Sequence, residues 1–315
     1  INRSISDILN AEINWPFTRA EGSVDAIAGK QLYSFASIAS TLKYIDYDNV
    51  FLMPKDYITN GDFEISGSAS ITNWATISGS PAASSKFGNT LLLTSAKSSQ
   101  EVEDLIVGKS YVILIQTSGA TLTLDVGTSS GGTQTKTTTL TIASGNEVLL
   151  SEVTFTATAT THYVTFTESA GATAYVKLVQ LAENITPIGL KYISYEEYSE
   201  RYRERDSRPD TDKFSDPEFI YTTYNDEIGL SPIPDTSNRT IKFDYYTSNV
   251  DLSAHGDTGI IPTRFESVIN ARAKYYTYMF RSDVQTAQYA LKEYEDGVKR
   301  MRVELINRKN YMRAV

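Results

Sequence analysis

The side chains that could do chemistry in this chain are few and scattered. There is no cysteine, which excludes thiolate nucleophiles, disulfides and thiolate metal ligands. The two histidines, His162 and His255, stand in a predicted strand and in a Gly/Asp loop, and neither has an evident partner. A lone histidine is more often structural than catalytic. The sequence contains no HExxH motif, no phosphate-binding glycine loop and no nucleophile elbow.

Carboxylates are the remaining candidates for catalysis. Glu196-Glu197 and the stretch from Asp206 to Asp212 could supply the paired acids that glycoside hydrolysis needs. Both stretches lie among Arg and Tyr residues, a pattern typical of a solvated helix and loop. The sequence therefore predicts a protein that is not an enzyme and has no cofactor and no metal site, with a glycan-processing enzyme kept as an alternative.

Composition sets the class of protein. A chain of 315 residues, 41% of them apolar, can bury a large core and is long enough for two domains. No apolar run is long enough for a membrane span and no signal peptide is evident, so we expect a soluble protein. The 21 tyrosines suit surfaces that must be both apolar and hydrogen-bonding, which indicates assembly.

The C-terminal region predicts two helices joined by a short turn. Thr263 with Glu266, and Ser282 with Gln285, have the spacing of capping boxes. So short a turn makes the helices antiparallel, and their apolar stripes can then close only on each other and on a further element. The predicted core of this helical bundle is Phe265, Ile269, Tyr276, Leu291, Tyr294, Val298, Met301 and Leu305, and the same stripes continue through Val268, Ala273, Met279, Phe280, Val284 and Ala287.

The N-terminus supplies the best candidate for that further element. Ser4 is a plausible N-cap, and Trp15-Pro16 would end the helix. Its apolar face is Ile5, Ile8, Leu9 and Ile13.

The end of the chain is basic, although the protein has a net charge of -9. From Lys299 to Val315 six Lys or Arg residues stand against one acid, Glu304. Cations near a helix C-terminus explain part of this excess. The segment from Asn307 to Val315 mixes basic with apolar residues, which predicts an arm that orders on a partner.

The middle of the chain has a different composition from its ends. From about Ile58 to Ala182 the sequence is rich in Ser, Thr, Ala and Gly, and short alternating strands recur at even spacing, which predicts a β-sandwich. The low-complexity stretch from Gly127 to Thr139 is predicted to be an exposed hairpin.

The segments before and after this β-sandwich are predicted to form one folding unit. The predicted strand Gly189–Ile193 could pair with the strand interrupted at Leu52, and further strands follow at Phe219–Tyr224, Ile228–Pro232 and Thr240–Tyr246. We therefore predict an α+β protein: a core of residues 1–57 and 184–315, with a helical bundle and a small β subdomain, and an inserted all-β jelly-roll sandwich of residues 58–183.

The inserted segment resembles the carbohydrate-binding modules of jelly-roll fold. The resemblance lies in Asn60-Gly61-Asp62-Phe63-Glu64, Trp74, Val107-Gly108-Lys109-Ser110-Tyr111 and Ala174-Tyr175-Val176-Lys177-Leu178-Val179. Lys177 stands where these modules usually carry calcium-binding aspartates, so no calcium site is predicted. Most aromatic residues of the segment fall on strands, which favours core positions over a sugar-stacking platform: Phe63, Phe155, Phe166 and Tyr175.

The remaining parts resemble the head-to-tail adaptor proteins of short-tailed phages. The resemblance lies in the N-terminal helix, the run from Ile228 to Asp235, the strand ending at Tyr245-Tyr246, and the helical hairpin with its tail. It implies a virion protein, assembled in the host cytoplasm, whose copies form a ring of twelve between the portal and the tail tube or nozzle. DNA would pass through this ring without sequence-specific binding, and no membrane would be involved. The residues that would bind the portal are Arg308, Lys309, Tyr311, Met312, Arg313 and Val315.

Three function hypotheses follow. The first is the structural adaptor ring. The second is a carbohydrate-binding virion or surface protein that acts through the inserted sandwich, and the third is a glycan-processing enzyme.

Overall fold

The computed structural model describes residues 1–12, 14–64, 71–141, 148–208, 214–254 and 256–306. Two compact units are present. Unit 1 comprises Ile1–Leu52, Ile188–Ser237 and Ile241–Val315, and unit 2 comprises Met53–Pro187 and Asn238–Thr240. The predicted α+β class is confirmed, and most of the regular structure is β. The predicted domain boundaries at residues 58 and 183 stay a prediction.

The regular elements have the following bounds. The α-helices are α1 (Asn2–Ala11), α2 (Phe35–Ile38), α3 (Tyr195–Arg201), α4 (Arg203–Asp206), α5 (Glu266–Phe280) and α6 (Val284–Leu305). The strands are β1 (Arg19–Asp25), β2 (Leu32–Ser34), β3 (Leu42–Pro54), β4 (Ala75–Ser78), β5 (Ala82–Ser84), β6 (Thr90–Leu93), β7 (Lys97–Val102), β8 (Ser110–Gly119), β9 (Leu122–Gly127), β10 (Lys136–Leu140), β11 (Leu149–Thr156), β12 (His162–Thr167), β13 (Ala174–Glu183), β14 (Ile188–Gly189), β15 (Lys191–Tyr192), β16 (Phe219–Thr222), β17 (Glu227–Ser231) and β18 (Arg239–Thr247).

Two four-stranded sheets form the β part of unit 1, with strand orders β1-β18-β3-β14 and β15-β16-β17-β2. They enclose one apolar cluster, which includes Tyr33, Ile45, Leu52, Ile220 and Leu230. The strand after the long insertion pairs with the strand before it, because Ile188 lies opposite Leu52 in an antiparallel ladder. The predicted strand Gly189–Ile193 is split, however, since β15 leaves this ladder and pairs in parallel with β16.

The two capping boxes predicted at the C-terminal helices are wrong. Residues Thr263–Phe265 form a short 3-10 turn, and α5 begins only at Glu266. The cap of α6 is Asp283, whose carboxylate accepts a hydrogen bond from the Thr286 amide. Ser282 has a φ of 61° instead, because the short reversal between the helices needs a left-handed residue at this position.

Unit 2 is a sandwich of two five-stranded sheets, ordered β10-β9-β12-β7-β4 and β11-β8-β13-β6-β5. Alternate side chains point inward and form one apolar core. Phe63, Phe155 and Phe166 are buried in this core, as the sequence predicts, whereas Tyr175 is only half-buried. The predicted hairpin lies between β9 and β10, which pair antiparallel from Val126 opposite Lys136.

Unit 1 should fold without residues 53–187. Because Leu52 and Ile188 are directly opposite neighbours in an antiparallel pair, an Asn-Gly loop can join them as a two-residue hairpin. We expect this deletion protein to be soluble and to unfold cooperatively, as measured by circular dichroism during urea titration. The control extends the deletion to residues 45–187 and so removes the buried Ile45, Val50 and Leu52, and it should not fold. An unfolded product from the first deletion would contradict the independence of unit 1.

Candidate assembly site

Helices α1, α5 and α6 share one apolar cluster. Ile5, Ile8 and Leu9 of α1 pack with residues of the two C-terminal helices, and the buried Trp15 belongs to the same cluster. Of the core residues predicted from the sequence, Phe265, Tyr294, Val298 and Met301 are buried, whereas Ile269, Leu291 and Leu305 are partly buried against the cluster and Tyr276 is half-buried. Ile13 lies outside the described residues.

A glycine sets the close approach of α5 and α6. A Cβ atom placed on Gly297 would lie 2.7 Å from Cγ2 of Val268, closer than real carbon atoms approach. The two helices therefore need Gly297 at this crossing, although a helix-interior glycine costs about 1 kcal/mol relative to alanine.

A polar clamp fixes α1 against α5. The Arg272 Nε donates to Asp7 Oδ2 at 2.6 Å, and the Tyr276 hydroxyl donates to the same oxygen. The Arg272 guanidinium lies 4.8 to 4.9 Å from the ring centroids of Tyr275, Tyr276 and Tyr294. Burial raises the pKa of the Asp7 carboxyl, but the bonds from Tyr276 and Arg272 and the charge of Arg272 outweigh it, so its pKa lies below the ordinary value.

A second polar contact ties the end of α6 to α1. The Arg302 Nη2 donates to the carbonyl of Ala11, and its Nε lies 3.3 Å from a carboxylate oxygen of Glu12. Ile306, directly after α6, has the extended conformation, with a φ of -85° and a ψ of 127°. The predicted portal-binding residues begin two positions later and lie outside the described residues: Arg308, Lys309, Tyr311, Met312, Arg313 and Val315.

The turn between α5 and α6 exposes apolar residues that the sequence predicts to be buried. Phe280 is 91% exposed, and Met279 and Val284 are also exposed. The polar clamp engages α5 at Arg272 and Tyr276, and Phe280 lies about one helical turn beyond Tyr276. We call Met279, Phe280, Arg281 and Val284 the hairpin tip.

A second surface of unit 1 gathers tyrosines from distant parts of the chain. The ring of Tyr44 lies 6.1 Å from Tyr246 and 5.9 Å from Tyr47, and Tyr47 stacks on Tyr192 with ring centroids 4.0 Å apart. Burial raises the pKa of Tyr192, and the nearby Tyr44 and Glu196 contribute to the same shift. The Tyr224 hydroxyl, on a side chain that is 79% exposed, donates to Glu196. We call these five tyrosines with Glu196 the tyrosine band.

Sequence reasoning missed the tyrosine band. The high tyrosine count predicts an assembly surface but does not say which tyrosines form it. The five come from β3, β15, β18 and the turn before β17, separated by up to about 200 residues of sequence, so only the tertiary structure brings them together.

The candidate catalytic residues take part in structural contacts. His162 is buried, and its Nε2 lies 3.3 Å from Thr158 Oγ1. Burial lowers the pKa of His162, and the Ala159 backbone opposes this only in part. Glu197 pairs with Arg201 at 3.0 Å. His255 lies outside the described residues.

Asp206 corrects one prediction, because its side chain is buried and not solvated. It pairs with Arg205 Nε at 2.9 Å and accepts a bond from Gln31 Nε2 at 3.2 Å. The residues after Arg208, up to Lys213, lie outside the described ranges. Over the ranges that are described, no group of three or more His, Asp or Glu side chains could hold a metal ion.

Unit 2 has a groove of about 370 Å³ on one sheet face. Tyr163 lines it, with its hydroxyl donating to Glu101 Oε1 at 2.8 Å. Trp74 also lines the groove but is mostly buried, and its Nε1 donates to the carbonyl of Asn60 at 3.2 Å. The remaining lining residues are Asn73, Ala75, Ser99 and Ser130.

The family model described as SU10 adaptor protein matches residues 135–315, more than half of the chain. The chain belongs to the SU10 adaptor protein family. This is a family of phage head-to-tail adaptors, so the protein is a structural component of a phage and its expected location is the virion. A search of curated proteins gave no match.

Solved structures similar to this adaptor include two carbohydrate-binding modules. TmCBM61 in complex with beta-1,4-galactotriose is 17% identical, over 41% of this chain and 99% of that chain, with a TM-score of 0.31. The family 16 carbohydrate-binding module 2 is 14% identical, over 40% of this chain and 99% of that chain, with a TM-score of 0.32. The enzymatically active domain of tailspike protein 4 of bacteriophage CBA120 is 14% identical, over 41% of this chain and 21% of that chain, with a TM-score of 0.33.

Within the described ranges, no helix of the adaptor combines the length and the hydropathy needed to cross a membrane.

The polar clamp should contribute measurably to stability. Asp7→Asn removes the charge that pairs with the half-buried Arg272, and we expect the free energy of unfolding to fall by about 2 kcal/mol, as measured by urea titration. Because the pKa of Asp7 is depressed in the folded protein, its stabilisation is present above about pH 4 and is lost as the pH falls through the folded value. The difference between wild type and variant should therefore narrow at acidic pH.

The control for this variant is Glu204→Gln, which breaks the exposed pair of Glu204 with Arg208. We expect a change below about 0.5 kcal/mol. Equal effects of the two substitutions would show that the clamp has no special role.

Proposed function

We propose that this adaptor forms a ring of twelve copies between the portal and the tail tube or nozzle, and that DNA passes through the ring without sequence-specific binding. The observation that carries this proposal is the family match together with a helical hairpin that leads directly into a basic arm. In the proposal, α1, α5 and α6 act as a helical bundle that holds the arm at its base. The arm, Asn307–Val315, docks into the portal.

The anchoring of α6 supports separate roles for the helical bundle, as the base, and for the arm, as the docking segment. Arg302 fastens the last turn of α6 to Ala11 and Glu12, and Leu305 and Ile306 pack on the apolar cluster. The basic residues of the arm follow directly in the sequence. In such an arm, positive charge speeds encounter with a partner, and apolar side chains slow release.

Removal of Asn307–Val315 tests the proposal. The truncated protein should keep its urea midpoint, because every member of the apolar cluster among the described residues remains. It should lose attachment to portal rings, as measured by co-sedimentation. A matched full-length control carries Arg308→Glu, Lys309→Glu and Arg313→Glu, which keeps the apolar residues of the arm and should slow association. Undiminished binding of the truncated protein to the portal would contradict a docking role for the arm.

We further propose that the adaptor has no enzymatic activity. This is supported by the contacts of three candidate residues: His162 is buried against Thr158, Glu197 pairs with Arg201, and Asp206 pairs with Arg205.

The groove of unit 2 favours a second candidate function, the binding of a neutral glycan. Its volume suits a small ligand, and it combines the ring of Tyr163 with the carboxylate of Glu101. A glycan array should then give a bound sugar whose affinity falls about tenfold or more in Tyr163→Ala. Tyr175→Ala, on the other sheet, is the control. An array without binding would rule against this function.

A further inference from the structure

The hairpin tip has the character of a surface that is covered in an assembly. Phe280 is 91% exposed, Met279 precedes it in α5, and Val284 begins α6 after a turn of three residues; both are also exposed. Soluble monomers rarely expose contiguous large apolar side chains, because their burial is favourable wherever a partner is available. Arg281, between Phe280 and Ser282, adds an exposed positive charge to this apolar group.

The tyrosine band has complementary chemistry. Its exposed rings offer flat apolar area with hydroxyl groups, which interfaces favour, and aromatic faces also attract guanidinium groups. The band includes the carboxylate of Glu196, and the carboxylates of Asp46 and Asp244 lie near Tyr246, where one cation, Arg19, pairs with both. It therefore suits a partner that is apolar and basic.

The β part of unit 1 carries an acidic excess. Residues 19–52 and 188–251, which contain the tyrosine band, carry 11 Lys or Arg against 18 Asp or Glu. Residues 260–298, which contain the hairpin tip, carry 5 Lys or Arg against 5 Asp or Glu. Arg281 is therefore the charge by which the hairpin tip is attracted to an acidic surface.

We propose that the hairpin tip of one copy packs on the tyrosine band of the next copy. Phe280 and Met279 lie against the tyrosine rings, and Arg281 faces Glu196. Because the contact joins two different surfaces, it is head-to-tail, and such contacts close into a ring when the rotation between copies fits. This inference rests on the proposed adaptor ring and names the surfaces that build it.

Complementary variants test the contact. Phe280→Asp disables the tip, and Tyr44→Arg with Tyr224→Arg disables the band. Each protein alone should be monomeric by mass photometry, with association about 100-fold weaker than wild type. Mixed together, they should form a one-to-one dimer and no ring, because one intact tip and one intact band remain. Phe280→Ala and Tyr224→Ala serve as milder versions, and the urea midpoint of every variant must match wild type.

Two controls test whether the contact is specific to these residues. Tyr289→Asp removes a side chain that is 77% exposed but lies five residues after Val284, about 140° around α6, and it should assemble as wild type does. Arg281→Glu should weaken assembly, and Arg281→Glu combined with Glu196→Arg should restore it.

The outcomes distinguish this inference from the proposed function. Rings formed equally by wild type and by the tip and band variants would overturn the contact and leave the adaptor ring standing. Variants that keep the ring but lose portal or tail attachment would also overturn it, by assigning the surfaces to another partner. A wild-type protein that stays monomeric, both alone and with portal rings, would overturn the adaptor ring itself.

Discussion

Helices α5 and α6 do not bury their apolar stripes completely by packing on each other, so they need a third element. This constraint ties the two ends of the chain together. The stripe left open by α5 and α6 is closed by Ile5, Ile8 and Leu9, more than 250 residues earlier in the sequence. Apolar burial supplies the attraction but is not directional. The orientation of α1 on the two helices is set by the half-buried pair of Asp7 with Arg272 and by the contact of Arg302 with Ala11.

The packing of α1 on α5 and α6 leaves two other parts of the helical hairpin free to contact partners. The end of α6 is held by Arg302, so a segment that follows it starts from a fixed point. The turn between the helices lies beyond the contacts that α1 makes with Arg272 and Tyr276, so Phe280 remains in water. In a protein that assembles, burial of such an exposed side chain by a partner contributes favourable free energy to the association.

The insertion of a whole sandwich does not disturb this arrangement, because its two ends leave unit 1 from neighbouring positions. Leu52 and Ile188 face each other across one antiparallel ladder, as the two ends of a hairpin loop would. A loop of any length closes this ladder at a cost that grows only slowly with the number of residues. The insertion also has its own apolar core, which includes Phe63 and Phe166, and so does not depend on the core of unit 1.

The sequence by itself determined the elements whose pattern is local and repetitive. One face of each such element is buried and the other faces water, which gives the three-and-four spacing of the C-terminal helices and the alternation in strands such as β8 and β13. The change of composition near Pro54 is likewise visible in the sequence alone. Only the tertiary structure decided which apolar residues remain exposed, since Phe280 follows Tyr276 at helical spacing but lies one turn beyond the contact that Tyr276 makes with α1. It also decided that Asp206 is buried beside Gln31 and Arg205, and that tyrosines from four separate segments form one band. Such facts depend on distances between residues far apart in the chain, and local periodicity carries no information about them.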